Sequence, residues 1–292
     1  MTEIVARCPL CGAGANGPFD QRKFRNQTVT NVICRKCGLV YQSPRMTESE
    51  SQEFYEAEYR VLYQGQEGPN PKDLAVQSAR ARVTLDFITQ SVNSIRRVLD
   101  IGCSAGILLQ QFQARTHAEV YGVEPGNSYR QYAQSLGLDV FATLAELQST
   151  SLPRFNLVSM MHVLEHMPDP VEYLQNLRTK FLVPDGWLLL EVPNLYAHDC
   201  FEIAHLVSFS PHTLTQVVQK AGYQVTWLNA HGLPRSQLIP LYLTLLAQPE
   251  SKQHYSLKPD HLVSLKRRFG FFRRRVAERL SPGNAWLPVT TP

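Results

Sequence analysis

Val98-Leu99-Asp100-Ile101-Gly102-Cys103-Ser104-Ala105-Gly106 reads as a buried β-strand that ends in a glycine turn and opens a helix. The run before the turn is short and apolar, as a strand covered on both faces requires. Gly102 lets the backbone approach a ligand closely, and Gly106 lets the next helix start tight against the strand. A dinucleotide fingerprint G-x-G-x-x-G would need glycine at 104 and 107. Ser104 and Ile107 stand there instead, which counts against NAD or FAD.

Outward from this stretch, short β-rich runs alternate with amphipathic helices. Strands are predicted at Arg97–Ile101, Val120–Val123, Asp139–Ala142, Asn156–Met161 and Trp187–Val192. Helices are predicted at Ile107–Ala114, Ser128–Leu136, Val171–Phe181 and Pro211–Ala221. The last helix takes Ser210 as N-cap and Pro211 as first residue, and Gly222 closes it. Tyr223–Asn229 and Gln237–Ala247 supply two further strands. Such alternation predicts an α/β fold with a parallel, doubly wound sheet and ligands at the carboxyl ends of its strands. The second strand ends in Glu124-Pro125, 24 positions after Asp100, where a carboxylate can accept both hydroxyls of an adenosine ribose.

The 292 residues are 43% hydrophobic, which excludes a wholly disordered or collagen-like chain. No stretch approaches the ~20 apolar residues of a membrane span, and Met1–Leu10 has no signal-peptide core. The expectation is a soluble, cytoplasmic protein. The net charge of +4 is unevenly placed. Lys266, Arg267, Arg268, Arg273, Arg274, Arg275 and Arg279 stand close together against Glu278 alone, so the rest of the chain is mildly acidic. Any basic surface that touches an anionic partner is therefore expected in the tail. Four segments follow: a Cys/Gly/Pro-punctuated module over 1–45, a helical lid or linker over 46–95, the sheet domain over 96–250 and the basic tail over 251–292. Pro282, Pro288 and Pro292 suggest a mobile end.

Cys8-Pro-Leu-Cys11-Gly and Cys34-Arg-Lys-Cys37-Gly form two matched knuckles. Each C-x-x-C turn presents two thiolates on one side, and two such turns fill the four corners that Zn²⁺ prefers. With four cysteines there is no open position for water, so the expected zinc is structural. A thioredoxin-type site would need one such pair at the start of a helix, not two copies. Cys103 and Cys200 read as small apolar residues of the sheet domain.

Val98–Gly106, Glu124, Phe155–Pro170 and Leu182–Asn194 together resemble the motifs of class I S-adenosylmethionine-dependent methyltransferases. With the leading knuckles, the resemblance narrows to a zinc-ribbon-bearing group related to enzymes of sugar and polysaccharide biosynthesis. It implies a Rossmann-like seven-stranded sheet with an antiparallel last strand. It further implies that Asp100 and Gly102 hold the methionine end of the cofactor, Glu124 the ribose, and Ala142–Thr143 the adenine edge. Cys103, Ser104, Gly106, Pro125, Met161 and His162 complete the expected cofactor wall.

Methyl transfer is an in-line displacement, and a base must often remove a proton from the acceptor. The resemblance marks Glu165-His166, after the fourth strand, as the recurrent pair, with His166 as general base. An imidazole suits that task at neutral pH. His205 opens an H-L-x-x-F-S-P segment on the substrate side and is the reserve candidate. Sugar C-methyltransferases carry a tyrosine two residues before the glutamate. Val163 occupies that place here, which counts against C-methylation. His162, Glu165 and His166 also echo the E-x-x-E-H loop with which some O-methyltransferases hold Mg²⁺, with His162 in place of the first glutamate. Tyr55, Tyr59 and Tyr63, one helical face, suggest a lid over the sulfonium or plain packing. The leading expectation is methyl transfer to a sugar or nucleotide-sugar hydroxyl or carbon. The alternatives are an RNA methyltransferase that grips phosphate with the ribbon and tail, and a cofactor-binding scaffold without activity. The loop after strand four lacks the N/D-P-P-Y and Pro-Cys signatures of base methylation.

Overall fold

The computed structural model describes residues 2–24, 27–54, 68–250 and 255–288. The strands are β1 (Thr2–Glu3), β2 (Asn16–Phe24), β3 (Gln27–Cys34), β4 (Val40–Gln42), β5 (Arg45–Met46), β6 (Arg97–Ile101), β7 (Glu119–Val123), β8 (Asp139–Phe141), β9 (Phe155–Met161), β10 (Leu182–Pro193), β11 (Val207–Ser208), β12 (Tyr223–His231) and β13 (Tyr242–Pro249). The helices are α1 (Glu48–Glu53), α2 (Pro71–Ser91), α3 (Ile107–Thr116), α4 (Asn127–Ser135), α5 (Leu144–Ser149), α6 (Pro170–Lys180), α7 (Pro211–Lys220), α8 (Val263–Leu280) and α9 (Pro282–Ala285). Tyr55, Tyr59 and Tyr63 lie outside the described residues.

The central sheet has seven strands in the order β12-β13-β10-β9-β6-β7-β8. Strands β10, β9, β6, β7 and β8 run parallel, and β13 is antiparallel to both of its neighbours. This is the class I methyltransferase sheet, with the antiparallel last strand that the resemblance implies and that the alternation of strands and helices alone did not show. Val98, Leu99, Leu157, Val158, Leu188 and Leu190 are fully buried, because helices cover both faces of these strands. From β6 the chain builds outward through β7 and β8, then returns to lay β9 on the other side of β6. That reversal opens a crevice beyond the carboxyl ends of β6 and β9.

Local chemistry sets the ends of the helices. Ser210 accepts from the Thr213 amide in a capping box, with Pro211 as the first residue of α7. Asn70 caps α2 from the Asp73 amide. Gly106 adopts φ +75°, and a Cβ there would sit 2.5 Å from Leu138 Cδ1, so α3 starts hard against its neighbours.

The four cysteines stand beside a second sheet of four strands, in the order β11-β4-β3-β2. Its edge strand β11 comes from the middle of the sheet domain and pairs Val207 with Tyr41 and Ser208 with Val40. Cys8, Leu10, Cys37 and Tyr41 share one apolar core with Leu206, Phe209 and Leu214. The Asp260 amide donates to the Cys37 carbonyl at 2.9 Å, and the Lys220 ammonium donates to the Leu10 carbonyl.

The tail corrects an expectation. Residues 263–280 form a helix packed on the segment after β10 rather than a loose end. Apolar periodicity missed it because arginines do the packing. The Arg267 guanidinium lies 4.2 Å from the Phe201 ring centroid and 4.5 Å from that of Phe271, and it donates to the carbonyls of Leu195 and His198. Arg274 donates to the Ala197 carbonyl at 3.1 Å.

Candidate functional site

A cavity of about 350 Å³ lies at the strand reversal. Of the residues singled out from the sequence, Asp100, Gly102, Cys103, Ser104, Glu124, Pro125, Met161, His162 and His166 line it. Its cover is α2, whose Asp73, Val76, Gln77, Arg80, Ala81 and Thr84 recur every three or four residues on one face.

One half is made by the glycine turn. Gly102 holds φ +72°, and a Cβ there would meet Val163 Cγ2 at 2.5 Å, so the turn and the loop after β9 touch only because no side chain intervenes. Glu124 braces the turn. Its Oε2 accepts from the Ser104 amide at 2.9 Å and its Oε1 from the Gly126 amide at 3.0 Å. A carboxylate has about four acceptor positions, so these two bonds leave capacity for ligand hydroxyls. Beneath the turn, the Ser159 hydroxyl donates to Asp100 Oδ1 at 2.7 Å. Burial pushes the Asp100 carboxyl up to about 7, despite that hydrogen bond.

The other half is a side-chain network. His162 stands at φ +58°, a left-handed conformation uncommon for residues with a Cβ. Its Nε2 lies 3.1 Å from Glu191 Oε1 and its Nδ1 3.4 Å from Glu165 Oε1. Burial and Arg80 act to lower the imidazole's pKa, but the two carboxylates prevail and raise it. Thr244 donates to Glu191 Oε2 at 2.9 Å, and His231 Nε2 lies 2.7 Å from the Thr244 hydroxyl. Burial alone would raise the Glu191 carboxyl, yet His162 and His231 hold it well below the usual carboxylate range. Arg80 reaches in from α2, donates to the Tyr242 hydroxyl at 3.1 Å and lies 5.0 Å from that ring's centroid.

Glu165 and His166 follow in a single 3₁₀ turn, Leu164–His166. Nδ1 of His166 lies 2.8 Å from the Ala204 carbonyl oxygen, and Nδ1 of His205 lies 2.8 Å from that of Cys200. A carbonyl only accepts, so both rings carry their proton on Nδ1, and Nε2 is the basic nitrogen. The two rings stand 5.0 Å apart. Desolvation and the neighbouring His166 push His205 down to about 4. Burial favours the neutral Glu165 carboxyl, but His162 and His166 hold it at about 2. Glu165, His166 and His205 bring one ligating atom each to within 4.8 Å of one another. The third member of that cluster is thus His205. The E-x-x-E-H comparison puts His162 in that place, but His162 stands between Glu165 and Glu191 and outside the cluster.

Five expected site residues stand back from the cavity wall: Gly106, Ala142, Thr143, Glu165 and His205. Gly106 caps α3, and Thr143 caps α5 by accepting from the Glu146 amide. The Ala142 amide donates to the Glu146 carboxylate at 2.8 Å. Cys200 is buried in an apolar cluster with Phe201 and Val263. Arg80 and Glu191 went unrecognised in the sequence. Glu191 did leave a signal, as the one charge in the apolar strand Trp187–Pro193.

In the second sheet, the Sγ atoms of Cys8, Cys11, Cys34 and Cys37 all lie within 4.8 Å of one another. Cys8–Cys37 and Cys11–Cys34 are 3.5 Å apart, and all four are free of disulfides. A tetrahedron with Zn–S distances of about 2.3 Å has sulfurs roughly 3.8 Å apart, so the donor set fits. The two knuckles are backbone copies. Gly12 donates to the Cys8 carbonyl and Gly38 to the Cys34 carbonyl, both at 2.9 Å.

This fold and this cavity define a class I methyltransferase. Residues 52–228 match the family described as a methyltransferase domain, and the chain belongs to that family. Among curated relatives, the ubiquinone biosynthesis O-methyltransferase of Actinobacillus pleuropneumoniae is 32% identical over 123 residues, 38% of this chain and 52% of that protein. The enzyme of the same name from Alkalilimnicola ehrlichii is 31% identical over 119 residues, 38% of this chain and 47% of that protein. The chain thus spans about half the length of the curated relatives it matches. The solved 1,6-didemethyltoxoflavin-N1-methyltransferase of Burkholderia thailandensis, with 1,6-didemethyltoxoflavin and S-adenosylhomocysteine bound, shares the fold. Its TM-score is 0.57 at 17% identity, covering 80% of this chain and 100% of that one. Among the described residues, no helix is long and apolar enough to cross a membrane.

Proposed function

We propose that this chain transfers a methyl group from S-adenosylmethionine to a hydroxyl of a small molecule, with His166 as general base and a structural zinc on Cys8, Cys11, Cys34 and Cys37. One observation carries the reading: a single cavity brings the Glu124-braced glycine turn together with His162 and His166. When bound, the cofactor supplies an electrophilic methyl on a sulfonium. The Gly102 turn, closed against Val163, presents its backbone to the cofactor, Glu124 accepts from its ribose hydroxyls, and Asp100 faces its amino group. On the other side, His166 Nε2 takes the acceptor's proton, and Glu165 stabilises the resulting imidazolium. His205, kept neutral by burial, adds no competing charge at neutral pH.

The acceptor we favour is a sugar or nucleotide-linked sugar hydroxyl. A phenolic hydroxyl is the second reading, because the matched relatives are named as ubiquinone biosynthesis O-methyltransferases. Both need the same deprotonation. RNA is less well supported, since Arg22 of the ribbon is engaged by Asp20 and Asp199, and Arg267 and Arg274 of the tail are engaged by backbone carbonyls. The test incubates the purified chain and methyl-labelled S-adenosylmethionine with nucleotide-sugar, quinol and ribosomal RNA pools. Label in a small-molecule pool is expected, and which of the two takes it identifies the acceptor. Label in RNA, or cofactor binding without transfer to any pool, overturns the proposal.

A further inference from the structure

Helix α8 has one side packed on the body and an apolar side turned outward. Val263, Arg267, Gly270 and Arg274 face the body, where a Cβ on Gly270 would collide with the Tyr196 carbonyl. Leu265, Phe269, Phe272, Val276 and Leu280 are all exposed, Phe269 and Phe272 by 60% and 58%. At roughly 100° per residue these five fall within an arc of about 80°, almost opposite the packed side. By the same geometry Arg268, Arg275 and Arg279 border the stripe along one edge, and Lys266 and Arg273 along the other. The helix's single acid, Glu278, lies toward the body and is paired with Arg274 at 3.0 Å.

The geometry points to α8 as an in-plane docking helix for an anionic lipid surface. The apolar stripe enters the boundary between headgroups and acyl chains, and the arginine rows meet the phosphates on both sides. Charge argues against a second copy of this chain, since pairing two such helices brings four basic rows together with no acid to answer them. A nucleic acid would satisfy the arginines but leave two phenylalanines and two leucines in water. A lipid surface covers both. The helix is charged along its length and lies on a bilayer rather than across it, in keeping with the absence of a spanning helix among the described residues.

The test is flotation of the full chain with vesicles of phosphatidylcholine, alone or with a share of phosphatidylglycerol. Binding is expected to the anionic vesicles and to weaken with salt. Phe269→Ser with Phe272→Ser should lower partitioning by at least ~tenfold, because each ring's burial is lost. Arg268→Gln, Arg273→Gln, Arg275→Gln and Arg279→Gln should each lower it by roughly fivefold, on anionic vesicles only. All six side chains point into solvent, so circular dichroism and cofactor affinity should match the parent and exclude misfolding. Equal flotation of the parent and the double phenylalanine variant overturns the proposal. So does a concentration-dependent dimer that the phenylalanine substitutions dissolve, without vesicle binding by the parent. Retention on an RNA homopolymer, indifferent to the phenylalanines and without vesicle binding, does the same.

Discussion

The two halves of the cavity are built by different means. On one side, the amides of Ser104 and Gly126 close on Glu124 across a turn between adjacent strands, all within 27 residues of Asp100. On the other, Arg80, His162, His166, Glu191 and Tyr242 come from stretches scattered over more than half the chain, and their order depends on one side chain holding another. A wall made of backbone tolerates change around it. A wall made of side chains is only as ordered as the segments that hold them, and here the segment whose Ala204 carbonyl holds His166 runs into the cysteine sheet. Strand β11 pairs with β4, and the Gln42 amide donates to the Leu206 carbonyl at 2.8 Å, next to His205.

The largest expected effect therefore comes from the zinc proposed on the four cysteines. Structural zinc in such four-cysteine sites contributes apparent binding energies of about 10–16 kcal/mol, far above ordinary packing terms. Cys37→Ser should lose zinc by elemental analysis and lower the melting temperature. Turnover should fall further than cofactor affinity, because the Ala204 carbonyl that orients His166 loses its support while Glu124 keeps its amides. Full zinc content with unchanged melting would break the comparison at its root.

Next in size is the base proposed at His166. A general base is worth ~10²–10⁴ in rate, so His166→Ala should lose that much kcat while cofactor affinity stays within a few-fold. If His205→Ala shows that loss and His166→Ala does not, the two imidazoles exchange roles. Equal loss of turnover and cofactor affinity would mean that the halves are not separable.

Glu124→Ala sharpens the comparison from the cofactor side. It removes charge-assisted hydrogen bonds worth ~1.5–3 kcal/mol, roughly a tenfold to hundredfold rise in cofactor Kd by calorimetry. An unchanged Kd would move the ribose elsewhere.

The smallest effect is one of pH. Because burial pushes Asp100 up to about 7, the free protein holds this proton more tightly than an unfolded chain, whose aspartates titrate near ~3.9. Its contribution to stability is thus fully present below the unfolded value and is lost as pH rises through about 7. Cofactor binding should show the opposite slope. A ligand amino group favours the ionised carboxylate, so affinity should climb as pH approaches 7 and level off above it. Asp100→Asn should flatten both curves. A pH-independent affinity in the parent would place the cation away from Asp100.

How much of this was legible beforehand follows the same division. The strand-turn-helix around Gly102 declares itself because a few adjacent residues determine it, and the capping chemistry at Ser210 is equally local. Asp100 and Glu124 were recoverable from their positions at strand ends. Arg80 was not: the sequence reads 46–95 as a helical lid or linker, but nothing near Arg80 shows that this side chain reaches into the crevice. The partnership of His205 with Glu165 and His166 depends on a chain reversal forty residues long, which no spacing rule encodes. The tail was misread for another reason. Its inward positions are Val263, Arg267, Gly270 and Arg274, and apart from Val263 they give no apolar signal. The guanidiniums stack on Phe201 and Phe271 as aliphatic side chains would elsewhere.

The pairing of β11 with β4 also bears on how this protein can be taken apart. Val207 and Ser208 complete a sheet whose other three strands all precede residue 43, so the N-terminal and central portions share a seam that a cut between them in the chain would not open. A chain shortened to start after the cysteines would uncover a strand edge and the buried side chains of Leu206 and Phe209. Grafting these knuckles onto another enzyme would need a matching two-residue strand in the recipient. The ribbon and the histidine loop must be inherited, exchanged or engineered as one piece.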